Sequence, residues 1–434
     1  MGAGFMVSIA EILKGSHTGK AVQLRGWIYR TRTVGGKAFV VVRDATGIVQ
    51  VAISRDAVSA EAFAAAVKAL IESAVIVRGK VFADKRAPGG FEIHADDFQV
   101  VHFAEKFPIQ EDPSEEFLLD VRHLWVRSQR MTTIFRIRHT TFGAVHEYFR
   151  DHGFWEVSPP MITSAGSEGG ATLFEMEYFG RKAHLTQSWQ LYAEALVLAM
   201  EKIYYIGPSF RAEKSRTTRH LTEYWHAEME EAWAGMDEVI KHAEGVISHA
   251  CQRVAEERPE DVVAMGRTVE FLKAVKPPFE RMTYDEALGV LKKKGMDLEW
   301  GKDLRTLEER ALTEGKSKPI IVTHYPRITQ AFYKARDPKH PDLVLAFDVI
   351  AGDGVGEVVG GSERETDLDR IQKALREQGE DPKAYDWYLD SRRFGSVQHA
   401  GFGMGMERLI QWICKLEHIR DAVPFPRTPA RFAP

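Results

Sequence analysis

Two distant stretches, Phe210-Arg211-Ala212-Glu213 running on to Glu223-Tyr224, and Gly401-Phe402-Gly403-Met404-Gly405-Met406-Glu407-Arg408, decide how this chain is read. Each sets one arginine among residues suited to hold a triphosphate and a flat base. Arginine keeps its charge at any physiological pH, and its planar fork fits phosphate oxygens. Arg211 and Arg408 on opposite sides of one nucleotide would neutralise the charge that grows as pyrophosphate departs. That is the electrostatic core of a phosphoryl- or nucleotidyl-transfer site. No Gly-x-x-x-x-Gly-Lys-Ser/Thr stretch occurs, so the expected nucleotide site is not a P-loop.

Outward from these stretches, 434 residues are too many for one compact core, and two or three domains are expected. The chain is 44% apolar and 28% charged, the balance of a soluble globular protein. No apolar run reaches the roughly 18 residues of a membrane span. The start, Met1 to Met6, has no signal-peptide pattern. The two cysteines, Cys251 and Cys414, lack metal-type spacing; inert thiols in a reducing, cytoplasmic compartment are expected. Residues 1–105 carry 13 Lys and Arg against 10 Asp and Glu, too small an excess to identify a nucleic-acid partner alone.

From Ala21 to Val101 the pattern is strand-like. Val22–Arg30 alternates, and Ala38–Arg43, Ile48–Ile53 and Ala74–Val81 are rich in β-branched residues. Gly35-Gly36, Ala45-Thr46-Gly47 and Pro88-Gly89-Gly90 separate them as turns, and Ala60–Ile71 reads as a helix. Five strands with a helix between the third and fourth is the order of an OB-fold barrel, placed at residues 1–104. A hinge or linker is expected at 105–130, where Pro108 and Pro113 flank acidic residues. Residues 131–434 form an α+β domain with an insertion at about 256–318. Within it Met131–Asp151 has helical spacing and ends at Gly153, and Phe154–Ile162 reads as an edge strand because of Pro159 and Pro160.

These residues resemble the class II aminoacyl-tRNA synthetases over nearly the whole chain. Gly153-Phe154 with Val157 and Pro160 looks like the first class motif, at the dimer interface. Phe210–Glu213 with Arg219-His220 and Glu223-Tyr224 looks like the second, and Gly403-x-Gly405-x-Glu407-Arg408 like the third. The barrel places the chain in the subgroup activating aspartate, asparagine or lysine. The resemblance implies an antiparallel sheet flanked by helices, a homodimer meeting near Pro160, and an ATP site built from Arg211, Glu213, Arg219, His220, Tyr224, Glu357 and Arg408. Arg211 would bridge the α-phosphate and the amino-acid carboxylate, His220 would lie near the γ-phosphate, and Tyr224 would stack on adenine where the family usually has phenylalanine. Asp348 and Glu357 would hold Mg²⁺, which prefers oxygen ligands.

Aspartate and asparagine are nearly isosteric, so charge and hydrogen-bond polarity must separate them. Where the aspartate enzymes carry a lysine that neutralises the substrate carboxylate, this chain has Ala193; where they carry an aspartate, it has Glu228. A longer acceptor without a lysine partner can take the amide NH₂ of asparagine and repel the carboxylate of aspartate. Arg364 would donate to the side-chain oxygen, forming with Glu228 a pair complementary to a carboxamide. Glu168, on a glycine-rich lid, with Ser188 and Gln190 on the pocket floor, would receive the α-amino group. Trp189 replaces a small residue or proline. Phe39, Gln50 and Glu92 match positions that read the central anticodon uridine by stacking and edge contacts. The expected activity is ATP-dependent ligation of asparagine to tRNA(Asn) through an adenylate. An aspartate enzyme, of strict or relaxed tRNA specificity, is the alternative.

Overall fold

The computed structural model describes residues 5–167, 172–214 and 217–434, and the chain divides into two compact units, 1–121 and 122–434. The first holds β1 (Phe5–Met6), β2 (Ala21–Val34), β3 (Lys37–Arg43), β4 (Ile48–Ser54), β5 (Ala74–Ala83) and β6 (Phe91–His102). Their order is β1-β2-β3-β4-β6-β5, and a further pairing of β2 with β5 closes β2 to β6 into a barrel. The helix Ala60–Lys68 separates β4 from β5, so the order read from the sequence is present, with β1 and the helix Ile9–Leu13 added in front. Alternation builds the core. Ala38, Val40 and Val42 of β3, with Val49, Val51 and Ile53 of β4, are buried inside, while Phe39 and Gln50 face outward. A bulge between Ile28 and Arg30 bends β2, which pairs with β5 through its first half and β3 through its second.

The second unit contains β7 (Trp155–Glu156), β8 (Ile162–Thr163), β9 (Glu175–Tyr178), β10 (Arg181–Leu185), β11 (Lys202–Phe210), β12 (Glu223–Ala232), β13 (Glu280–Thr283), β14 (Ile320–Pro326), β15 (Leu343–Ala351), β16 (Gly356–Glu363) and β17 (His399–Gly405). Eight of these form one sheet in the order β13-β14-β15-β16-β17-β12-β11-β7. The six inner strands are antiparallel, and the short edge strands β13 and β7 pair parallel. The strand expected over Phe154–Ile162 is reduced to β7 and β8, because Pro159 and Pro160 supply no N–H to a ladder.

One face of this sheet packs on two long helices. Gln129–Asp151 is capped by Ser128 and buries Met131, Ile134, Ile137, Thr141, Val145 and Phe149, three or four residues apart. Met236–Glu257 buries Val239, Ala243, Val246, Ala250 and Val254 in the same way. Both cover Ala227, Met229, Phe402 and Met404 of β12 and β17. The alternate residues of those strands therefore lie on the opposite face, where the site is built. Residues 256–318, read from the sequence as an insertion, supply β13 to this sheet and the helix Thr306–Thr313 to the site.

Candidate active site

Across β11, β12, β17, β16 and β15 the register aligns Tyr205, Glu228, Gly403, Gly360 and Asp348 in one row. Two glycines between two acids leave a trough across the middle of the sheet. Two glycines of β17 answer to close neighbours. A Cβ on Gly403 would come within 2.6 Å of His226 Nε2, and one on Gly401 would collide with the Glu230 carboxylate.

Two adjoining cavities occupy this face. The first is lined by Ser188, Gln190, Arg211, Glu228, Glu230, Tyr333, Lys334, Asp348, Glu357 and Arg364. The second is lined by Arg211, Glu213, Arg219, His220, Tyr224, Glu357 and Arg408. Arg211, His226, Glu357 and Gly403 border both. The residues expected to meet amino acid and ATP are thus brought together as two neighbouring groups, with Arg211 at the junction. Glu168 lies outside the described residues.

In the first cavity Glu228 accepts the Ser188 hydroxyl through Oε1 and the Trp189 backbone N–H through Oε2 at 3.1 Å. Arg364 lines this cavity, and its fork is also engaged by Glu230, with Nε–Oε1 and Nη2–Oε2 both 2.9 Å, while its Nη1 donates to Ser362. Burial opposes the charge on Arg364, but the Glu230 carboxylate holds it more firmly protonated than usual. Glu230 was missed, although it lies two residues from Glu228 and alternation places both on one face. Tyr333 and Lys334 carried no signal.

Ala193 does not line the cavity. It is buried in an apolar cluster with Val197, Ile203, Tyr205 and Trp189, of which Trp189 lines the cavity. The Trp189 ring stacks on Tyr205 at 5.6 Å and 25°. A small residue at 193, one helical turn from Trp189, leaves room for that ring, which accounts for the tryptophan.

In the second cavity Arg408 donates to the Glu357 backbone oxygen at 2.6 Å. The Arg211 guanidinium lies 5.7 Å from the Tyr224 ring centroid and 3.9 Å from Glu213. Arg219 is paired with the buried Glu309, on the helix Thr306–Thr313, which also accepts the Glu357 N–H at 3.3 Å. Burial and the charges of Arg408, Arg219 and Arg211 push His220 down to about 4. Burial, Arg211 and Arg408 push His226 down to about 3. Both are neutral at physiological pH.

Asp348 and Glu357 approach each other over Gly360, where an added Cβ would lie 2.8 Å from Glu357 Oε1 and 3.5 Å from Asp348 Oδ1. Burial and the neighbouring Glu357 raise Asp348 to about 8. Burial works against the charge of Glu357 too, but Arg408 and Arg211 outweigh it and hold it below the usual range. Two half-buried carboxyls that resist joint ionisation are a donor set fitted to a hard cation.

In the barrel unit, parallel pairing sets Gln50 beside Glu92, and Gln50 Nε2 donates to Glu92 Oε2 at 2.9 Å. Glu92 Oε1 lies 2.6 Å from His94 Nε2. Phe39 is half-buried on the outer face, under the Arg32 guanidinium at 4.7 Å. The structure thereby decides the side of β3, which alternation left open. Pro160 is exposed.

Residues 114–429 match the family model described as tRNA synthetases class II (D, K and N), and residues 22–101 match an OB-fold nucleic acid binding domain. The asparagine--tRNA ligase of Thermococcus gammatolerans is 48% identical over 96% of both chains. That of Thermoplasma acidophilum is 43% identical over 99% of this chain and all of its own. The crystal structure of asparaginyl-tRNA synthetase from Pyrococcus horikoshii complexed with asparaginyl-adenylate superposes with a TM-score of 0.95, at 46% identity and 99% coverage of both chains. With a closed OB barrel, an antiparallel-centred sheet and relatives matched from end to end, the chain belongs to the class II tRNA synthetases (D, K and N), in the asparagine--tRNA ligase family.

Proposed function

We propose that this enzyme activates L-asparagine with ATP and transfers it to tRNA(Asn), with the first cavity taking the amino acid and the second the nucleotide. The observation that carries this reading is the placement of Glu228 in the same row as Asp348. An acid facing the amino-acid cavity accepts an amide NH₂ and repels a carboxylate. The engagement of Arg364 by Glu230 strengthens the same preference, since the arginine's charge is already balanced.

The carboxylate of asparagine attacks the α-phosphorus of ATP. The bond from that phosphorus to the bridging oxygen breaks, and pyrophosphate leaves. Arg211, at the junction of the cavities, is placed to hold the α-phosphate and the attacking carboxylate together. Arg408 and Arg219 supply charge toward the departing phosphates, while neutral His220 serves as a hydrogen-bonding neighbour. Tyr224 offers its ring to the adenine. Asp348 and Glu357 would hold Mg²⁺, which supplies positive charge to phosphate oxygens. The 3′-hydroxyl of the terminal tRNA adenosine then attacks the carbonyl carbon of the mixed anhydride, and AMP leaves. Glu168 would close over the substrate, and Ser188 and Gln190 would face its α-amino group. Phe39, Gln50 and Glu92 would read the anticodon uridine. The enzyme would act as a cytoplasmic homodimer meeting near Pro160.

The test is amino-acid-dependent ATP–pyrophosphate exchange with asparagine and aspartate, in the parent and in Glu228→Gln. Asparagine alone should support exchange in the parent, and the variant should lose about tenfold in discrimination. Equal exchange with both amino acids in the parent, or an unchanged ratio in the variant, would overturn the assignment.

A further inference from the structure

Behind the amino-acid cavity lies a buried polar cluster that meets the site described above only through Gln190. Its centre is Glu194, fully buried on the helix Gln190–Met200. Its Oε1 accepts from Gln190 Nε2 at 2.9 Å, one helical turn back. Its Oε2 accepts from Tyr388 Oη at 2.9 Å and from Arg392, and lies 3.2 Å from His399 Nε2. Burial works to raise the Glu194 carboxyl, but Arg392, His399 and Arg364 outweigh it and keep it ionised.

An ionised carboxylate can only accept. Gln190 must therefore turn its NH₂ toward Glu194, which leaves its carbonyl oxygen for the cavity that Gln190 lines. A glutamine amide is otherwise free to flip and present donor or acceptor. We propose that Glu194 is a positioning residue: it fixes the Gln190 amide so that the pocket floor offers an acceptor, and thereby makes the enzyme demand an α-ammonium group on its substrate. This rests on reading the first cavity as the amino-acid site. Arg392 in turn holds Glu194, donating to it and to the Glu365 backbone oxygen at 3.1 Å. The orientation is thus set by elements far apart in sequence.

Glutamine at 194 keeps the size but cannot accept on both sides. If its oxygen faces Arg392, its NH₂ meets the Gln190 amide, which flips to bond it and turns NH₂ toward the cavity. An α-ammonium then meets a donor. In Glu194→Gln the KM for asparagine in pyrophosphate exchange should rise about tenfold or more, with the KM for ATP unchanged. Succinamate, which keeps the carboxylate and carboxamide but lacks the α-amino group, provides the discriminating readout. Its inhibition constant should be unchanged or lower, so that preference for the ammonium-bearing ligand collapses. Glu194→Asp, which keeps the charge for Arg392 but cannot reach Gln190, should behave alike and serves if the first variant does not fold. Parallel weakening of asparagine, succinamate and ATP would mark a merely structural role and overturn the proposal, as would no change in any. If Gln190→Met leaves the asparagine KM unaltered in the parent background, the amino-acid reading of the cavity fails instead.

Discussion

Arg364 and Glu230 form a two-pronged ion pair, both contacts 2.9 Å, with both side chains buried at the wall of the amino-acid cavity. A buried pair of this kind contributes less to stability than its geometry implies, yet removing one partner is costly because the other charge is stranded. Here the stranded charge would face the substrate.

Glu230→Gln should therefore act in two ways. Stability should fall by about 3 kcal/mol, within the range for breaking a buried pair, and the uncompensated Arg364 should admit a carboxylate. The ratio of kcat/KM for asparagine over aspartate is expected to drop, checked by pyrophosphate exchange alongside thermal unfolding. A variant that loses stability while retaining full discrimination would mean that Glu230 serves the fold alone.

Arg408 faces the nucleotide cavity and touches Glu357. Arg408→Ala should lower the rate of adenylate formation by about 10²–10³-fold, the scale for removing one charge-stabilising donor. Binding of tRNA, measured by filter retention, should stay near the parent value. Equal loss of both would contradict the placement of Arg408.

Glu309 tests the contribution of residues 256–318. From the helix Thr306–Thr313 it holds Arg219 and accepts the Glu357 N–H, two residues of the nucleotide-cavity wall. Glu309→Gln weakens that restraint, and the KM for ATP should rise several-fold while the KM for asparagine does not move. Steady-state exchange with each substrate varied in turn distinguishes the two.

Acidification should destabilise the protein through His226. Its pKa is about 3 in the folded chain and near 6.5 when unfolded, so the unfolded state binds the extra proton between those values. The stabilising contribution is complete above pH 6.5 and is lost as pH falls toward 3, at a limiting slope of about 1.4 kcal/mol per unit. Over pH 7 to 5 His220 adds a slope of the same sign and Asp348, raised to about 8, one of the opposite sign, so the readout is the difference in urea unfolding between parent and variant: His226→Gln should remove up to about 1.4 kcal/mol per pH unit from the parent's profile. An identical slope in the variant would assign the acid sensitivity elsewhere.

The sequence by itself carried the barrel, the long helix over Met131–Asp151 and the arginines of the two opening stretches. Each depends on local period or on residue chemistry: alternation put Val40 and Val42 inside the barrel, and 3.6-residue spacing made the helix stripe. Alternation alone could not say that Glu228 and Asp348 share a row, because that row is fixed by register across five strands, 120 residues apart in the chain. Nor could it show that Glu230 balances Arg364, that Glu309 reaches Arg219, or that Ala193 packs in one cluster with Trp189. Those pairings are long-range contacts made only when sheet and helices close. The opening arginines determined the nucleotide chemistry from residue type; which acids stand opposite them, and hence the polarity of the pocket, was decided by the tertiary structure.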